Sequence, residues 1–366
     1  MENAIMCRPR NGRHSKHSRH SNINVNWKMM PGYDRLPRIF TVIPRTPDAR
    51  RYSEDLDALT HWSDRSGCAG VLLFTGTHTP IDPWVAAQRI ISQSQSLEPI
   101  IAVNPAFMHP LSVARMVSSI AQIYGRKVHL NLIAGTSLGE LESIGDRSGH
   151  DNRYGRLKEY AEIFCLLMSS QRPVSFEGNH YSVADLQLLP ALPKAFSPGL
   201  FIAGHSRPAL ELATRVGAQR MCMLPPSVDQ RAEPGAALHF GVVVAESWNE
   251  ARDTATALFP IDEDGPEMVA ASMSNTDALW KHSLHREAEK QAEAALMAPG
   301  VWLQPYRMGQ ADCPYLVGSR SDVAEMLLRL ISGGNSTFVI EIPLNASILQ
   351  ELAKTLDIVR KTLENK

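Results

Sequence analysis

From residue 38 onward, short apolar runs rich in β-branched residues alternate with amphipathic helical stretches, and this alternation restricts the chain to very few architectures. RIFTVIP (38–44) reads as a first strand. YSEDLDALTHWSDRSG (52–67) follows with a helical stripe of Leu56, Leu59 and Trp62 and stops at Gly67. GVLLFTG (70–76) precedes the helix DPWVAAQRIISQSQ (82–95), whose Pro83 suits a first helical position. PIIAVNP (99–105) precedes LSVARMVSSIAQIYG (111–125), and VHLNLIAG (128–135) precedes NRYGRLKEYAEIFCLLMSS (152–170). Strands apolar on both faces, each followed by a helix, predict a parallel sheet covered by helices.

The rhythm breaks at PVSFEGNHYSV (173–183), where alternation around Glu177, Gly178 and Asn179 predicts a small hairpin. It resumes with LFIAG (200–204), the helix PALELATRVG (208–217), QRMCMLP (219–225), and ALHFGVVVAE (237–246) with a helix behind it. Residues 262–312 are the least regular part and hold two helical patches. YLVGS (315–319), a helix over 321–334, STFVIEIP (336–343) and a terminal helix complete the chain. Four strands, a hairpin, three strands, a helical insertion and a last strand predict an α/β fold, a (β/α)8 TIM barrel. The hairpin insertion falls after strand four and the helical insertion after strand seven. An open doubly wound sheet fits the count less well.

The first 35 residues are rich in Arg, His, Ser and Asn without apolar periodicity, and read as a disordered basic tail ahead of a single barrel domain over 36–366. His14, His17 and His20 within it read as solvated residues, not metal ligands, and Met29 or Met30 is as good a start as Met1. Six Lys/Arg before Arg35 face only Glu2 and Asp34. Of 37 basic and 38 acidic residues, 31 and 36 remain for the body, a balance that does not favour nucleic acid. No apolar run approaches the roughly 20 residues of a membrane span, and the N-terminus has no signal-peptide core. Five scattered cysteines without a C-x-x-C fit a reduced, cytoplasmic protein.

Two stretches carry the chemistry. In the first, strand four ends at Asn131, a Gly-containing loop follows, and a helix opens with Asp151, Arg153 and Tyr154. Residues at the C-terminal end of a barrel strand line the ligand pocket, so amide, guanidinium and phenol suggest a polar, partly aromatic ligand. Each also has a local reading: Asn131 satisfying backbone, Arg153 and Tyr154 packing on the hairpin, Asp151 serving as a cap or dipole partner. The second stretch is FIAGHSRPALELA (201–213). A nucleophile elbow needs G-x-S-x-G, and the final glycine is missing. An anion cradle of Gly204, His205, Ser206 and the helix N-terminus is open, as is a plain N-cap by Ser206. Thr75 and His78 after strand two, His109 before helix three and His239 on strand seven are further candidates. No H-E-x-x-H, P-loop or G-x-G-x-x-G occurs in the body. Met221, Met223 and Met326 read as packing.

In this order, GVLLFTG…DPW, IIAVNP…HPLSVARMVSSI, GRKVHLNLIAGTS, HDNRYGRLKEY, FEGNHY, LFIAGHS, CPYLVGS and STFVIEIP resemble the bacterial luciferase-like flavin monooxygenases. The resemblance covers most of 38–345 and is nearest the branch of alkanesulfonate monooxygenases and their relatives in secondary metabolism. It implies a barrel with an insertion after strand seven and FMN used as FMNH2, supplied by a separate NAD(P)H:flavin reductase. It also implies O2 used by way of a flavin peroxide to oxygenate a small organic substrate, free or tethered to a carrier protein, in a homodimer. Thr75, Asn131 and Tyr154 would then lie along the flavin, and Gly204, His205 and Ser206 at its phosphate. His78, His109 and His239 remain for acid–base work, and the insertion would be a lid from which Arg307 or Tyr306 reaches an anionic group. The chain departs from the alkanesulfonate enzymes at three places. Residues 77–82 lack their Cys, strand seven reads His239-Phe240-Gly241 where they carry Arg-x-His, and Thr46 replaces a His. An alkanesulfonate is therefore not the expected substrate. A deazaflavin-dependent oxidoreductase and a flavin-binding barrel without turnover are the alternatives.

Overall fold

The computed structural model describes residues 36–227, 230–291 and 296–365, and the expected basic tail lies outside them. The first half runs β1 (Arg38–Val42), α1 (Ala49–Arg65), β2 (Gly70–Leu73), α2 (Pro83–Gln93), β3 (Ile100–Val103), α3 (Pro110–Tyr124), β4 (His129–Leu132), α4 (Leu138–Ser143) and α5 (His150–Ser169). The hairpin β5 (Val174–Glu177) and β6 (Ser182–Leu186) comes next, then β7 (Leu200–Ala203), α6 (Arg207–Val216), β8 (Gln219–Met223), β9 (Ala237–Ala245) and α7 (Trp248–Leu258). The insertion holds α8 (Gly265–Ser274), α9 (Leu279–Lys290), β10 (Gly300–Trp302) and α10 (Gln304–Arg307). The chain closes with β11 (Tyr315–Ser319), α11 (Arg320–Ser332), β12 (Thr337–Glu341) and α12 (Ala346–Glu364).

Eight parallel strands close a ring in the order β1-β2-β3-β4-β7-β8-β9-β12 and back to β1, the expected TIM barrel. Side chains alternate between two layers. Phe40, Leu72, Ile100, Phe201, Met221 and Val339 fill the barrel interior, while Ile39, Val71, Ile101 and Ile202 point outward to the helices. YLVGS does not join the ring. It forms β11, which pairs with Gly241–Ala245, the second half of the nine-residue β9 whose first half completes the barrel. Gly241 stands where the partner changes, and a Cβ there would run into the Tyr315 ring.

The helix after strand four begins two residues earlier than expected, at His150, and is capped by Gly149 without a side-chain bond. Asp151 sits in its first turn and meets His150 Nδ1 at 2.9 Å instead of capping. Arg153 is only 1% exposed. Its guanidinium donates to the Ser148 carbonyl and to both oxygens of Asp277, each at 2.7 Å, and so ties the insertion to the start of α5. Asn275 adds to the seam: its Oδ1 accepts from Gly139 N at 2.6 Å and its carbonyl from Leu138 N at 3.0 Å. Removing one partner of a buried ion pair costs about 3–5 kcal/mol, less where the other partner reaches solvent as Asp277 does.

At the opposite end of the barrel, His129 begins β4. Its Nδ1 accepts from Gly199 N at 2.9 Å, which leaves the proton on Nε2 to donate to Glu98 at 2.8 Å. Burial holds the imidazole below its ordinary value of 6.5, outweighing the pull of Glu98. Glu98, held low by His129 despite burial, shifts in the same sense. Depressed values in the fold mean stability present above the unfolded values and lost as pH falls through the folded ones. The melting temperature should therefore drop between about pH 7 and about pH 5. His129→Phe should cost about 1–3 kcal/mol at neutral pH and flatten that slope. A wild-type melting temperature independent of pH over this range would contradict a neutral His129.

Candidate active site

The C-terminal ends of the barrel strands open into a cavity of about 590 Å3, roofed by residues 277–281 of the insertion. Its size lies within the range of cofactor pockets. Thr75, His78, Asn131, Tyr154, Gly204, His205, Ser206 and His239 all line it. One strand-end rule accounts for most of them: β2 delivers Thr75, β4 Asn131, β7 Gly204 to Ser206, and β9 His239.

Asn131 is 6% exposed, and its Oδ1 is buried without a hydrogen-bond partner. A buried amide oxygen left unpaired costs about 1–3 kcal/mol, so its placement on a cavity wall points to a ligand donor. Gly204 has φ +120°, a region closed to most L side chains, and a Cβ there would stand 2.9 Å from Tyr154 Oη. This glycine brings bare backbone to the cavity beside the N-terminus of α6. Ser206 is that helix's N-cap, accepting from Ala209 N at 3.4 Å, and its hydroxyl hydrogen faces the Tyr154 phenol at the cavity wall. The cap reading of Ser206 thus holds, and an elbow does not fit, because Ser206 at φ −73° and ψ 157° is unstrained where an elbow nucleophile is strained. His205 Nε2 accepts from Met223 N at 3.1 Å, which puts its proton on Nδ1. Burial, with the Arg220 charge, keeps that imidazole below the ordinary histidine range and so neutral. Burial pushes the Tyr154 phenol up, against the opposing hydrogen bond from Ser206, so it too remains a neutral donor.

His239 uses Nε2 on Glu341 Oε1 at 3.1 Å. Burial opposes ionisation of Glu341, but hydrogen bonds from His239 and Cys313 and the charge of Arg45 hold it below the usual carboxylate range. Burial drives the Cys313 thiol well up, so it serves that carboxylate as a donor.

Two candidates lie off the cavity wall. His109 is exposed, caps α3 through Nδ1 to Leu111 N at 3.2 Å, and meets the Tyr181 ring edge-on at 5.7 Å. Arg307, on α10, faces Glu289 at 3.4 Å, and the neighbouring Tyr306 hydroxyl donates to the Lys281 carbonyl at 3.0 Å. Arg153, open between ligand and local roles, is the clamp of the roof. Met221 and Met223 pack as expected and also touch the cavity.

Several lining or supporting groups have no strong local signal. Arg220, read as part of an apolar strand, donates from Nη2 to the Gly204 carbonyl at 2.9 Å and fixes the cradle from behind. Asn104 and Arg45 follow strand ends and were open to the same rule that found Asn131. Trp280, tilted against the His205 ring at 6.5 Å, and Lys281 come from the irregular insertion, where no periodicity points inward.

Comparison with known proteins agrees with this geometry. The family model of the luciferase-like monooxygenases matches residues 40–337. A monooxygenase of Niallia circulans, BtrO, which acts on 4-(gamma-L-glutamylamino)butanoyl-[BtrI acyl-carrier protein], is 28% identical over 289 residues, covering 76% of this chain and 83% of its own. The solved EDTA monooxygenase EmoA of Chelativorans sp. BNC1 superposes with a TM-score of 0.66 at 17% identity, over 90% of this chain and 94% of that one. The oxygenating constituent of 3,6-diketocamphane monooxygenase from Pseudomonas putida, solved with FMN, gives 0.61 at 14% identity, over 90% and 99%. With a closed eight-stranded barrel, a roofed cavity at its C-terminal face and a family match over most of its length, the chain belongs to the luciferase-like monooxygenases, a family of flavin-dependent enzymes.

Proposed function

We propose that the protein is an FMNH2-dependent monooxygenase that uses O2 to oxygenate a small organic substrate. The observation that carries this reading is the pairing of an unpartnered buried Asn131 Oδ1 with an anion cradle at Gly204–Ser206 on one cavity wall. Asn131 suits an N–H of a flavin ring edge. The glycine backbone, the Ser206 hydroxyl, His205 Nδ1–H and the first amides of α6 suit a phosphate dianion, which the helix N-terminus further stabilises. Phe74, Tyr154 and Trp280 supply aromatic walls. Reduced FMN would supply the electrons that activate O2 for transfer of one oxygen atom.

The protein's own part is to bind, orient and exclude water. The clamped roof closes the cavity, and Glu341 fixes the ring orientation of His239, the best-placed acid–base candidate, ahead of the more exposed His78. By likeness to the family's monooxygenases, reduced flavin would come from a separate NAD(P)H:flavin reductase. The BtrO likeness supports an acyl substrate tethered to a carrier protein, with a free one as the other form, and the protein would act as a homodimer in the cytoplasm. A Cys-free loop over 77–82 and a strand seven without Arg-x-His argue against an alkanesulfonate.

Anaerobic titration with photoreduced FMN and riboflavin tests the cofactor assignment. Ser206→Ala should weaken FMN about tenfold and leave riboflavin within about twofold, because only FMN carries the phosphate. Equal loss for both would overturn the cradle. Asn131→Leu should weaken FMN and riboflavin alike, by about tenfold, since both present the same ring edge; selective loss of FMN alone would contradict the ring-side placement. On admission of O2, the oxidised-flavin absorbance should return more slowly from the wild-type complex than from free FMNH2. Tighter binding of a reduced deazaflavin than of FMNH2 would contradict the proposal.

A further inference from the structure

Lys281 reaches the cavity from the first turn of α9, with its main chain held by the Tyr306 hydroxyl and by the Arg153–Asp277 clamp four residues before it. Among the described residues its ammonium has no hydrogen bond and no ion pair. Its recorded neighbour is the Trp280 ring, 5.8 Å from Nζ. Burial, and then the charge of Arg45, pull its pKa down. Arg45 follows β1, lies over the Phe74 ring at 4.6 Å, and pairs with Asp312. The other carboxylates on this wall are committed: Asp277 to Arg153, and Glu140 to Thr77 N. Arg45 therefore has Asp312 and the nearby Glu341 to answer it, while Lys281 stands in a partly desolvated place with no carboxylate of its own among the described residues, an arrangement that an anion would relieve.

The cofactor's phosphate has its own cradle after β7. In the ring order β1-β2-β3-β4-β7-β8-β9-β12, β1 and β7 stand four strands apart in either direction, so Arg45 and the cradle occupy opposite sides of the barrel mouth. The two ends also differ in kind. The cradle presents neutral hydrogen-bond donors to the cavity, with Arg220 behind them and paired with Glu233, while on the β1 side the Arg45 guanidinium itself lines the cavity.

We propose that Lys281 and Arg45 form an oxyanion subsite that binds a carboxylate or phosphate group carried by the substrate. The proposal rests on the flavin reading of the cradle, because it assigns the cofactor's phosphate elsewhere. A carboxylate would belong to the substrate itself, whereas a phosphate would be that of a carrier's pantetheine arm.

Calorimetric titration of the FMN-loaded protein with glutarate and, separately, with 4′-phosphopantetheine tests it. At least one probe should bind, more weakly at high salt, and Lys281→Met should weaken it at least about tenfold while Lys281→Arg retains it. Binding of glutarate alone supports a carboxylate substrate; binding of phosphopantetheine alone supports a tethered one. FMN and riboflavin affinities should be unchanged in Lys281→Met. Failure of both probes to bind, or equal binding by wild type and Lys281→Met, overturns the subsite. Selective loss of FMN over riboflavin in Lys281→Met would assign Lys281 to the cofactor and overturn it as well. Failure of wild type to bind FMN at all would instead fall on the cofactor reading, and the same titrations on the flavin-free protein would still decide the subsite.

Discussion

A single guanidinium decides whether this barrel has a closed site. Arg153 lies almost wholly out of water, with Nη1 donating to the Ser148 carbonyl and Nη2 to both oxygens of Asp277, while its Nε is left without a partner. The first bond sets the loop that enters α5; the others hold the segment from which Ala278 to Lys281 hang over the cavity. A buried charge of this kind adds little net stability over an apolar packing, but it discriminates sharply against arrangements that leave it unpaired. It therefore specifies where the insertion rests. Tyr154, one residue along α5, inherits its position against Gly204 from the same anchor.

The cavity beneath that roof is electrostatically divided. On the β7 side the donors are backbone amides, a hydroxyl, a phenol and a neutral imidazole whose tautomer is set by Met223 N. Such dipoles bind a dianion without demanding a counter-ion when it is absent. On the β1 side Arg45 carries formal charge, paired with Asp312 and felt by Glu341, while Lys281 on the roof has no ion pair among the described residues. Between the two lies Asn131, an amide with one atom unpaired. A flavin phosphate and an anionic substrate group would thus meet different chemistry at opposite ends, which keeps one from competing for the place of the other.

The barrel was legible because its strands are short, apolar on both faces and each followed by an amphipathic helix, a pattern that survives without knowledge of tertiary contacts. Strand-end positions transferred directly into cavity positions for Thr75, Asn131, Gly204 and His239. His109 failed that rule because it ends the six-residue loop after β3 and its ring turns to cap α3. Arg307 was drawn in by its place in the insertion, but α10 packs beside α9 and directs it to Glu289. YLVGS is a strand by every local measure, and only closure of the ring by β12 leaves it outside. The roof residues Trp280 and Lys281 were illegible for the opposite reason. Their approach depends on a clamp more than 120 residues away in sequence, between Arg153 and Asp277.

The most direct measurement is diffraction from crystals soaked with FMN. The account predicts the phosphate over Gly204, His205 and Ser206 at the N-terminus of α6, with the ring edge within hydrogen-bond distance of Asn131 Oδ1. A phosphate lying against Lys281 and Arg45, or a flavin outside the cavity, would contradict it.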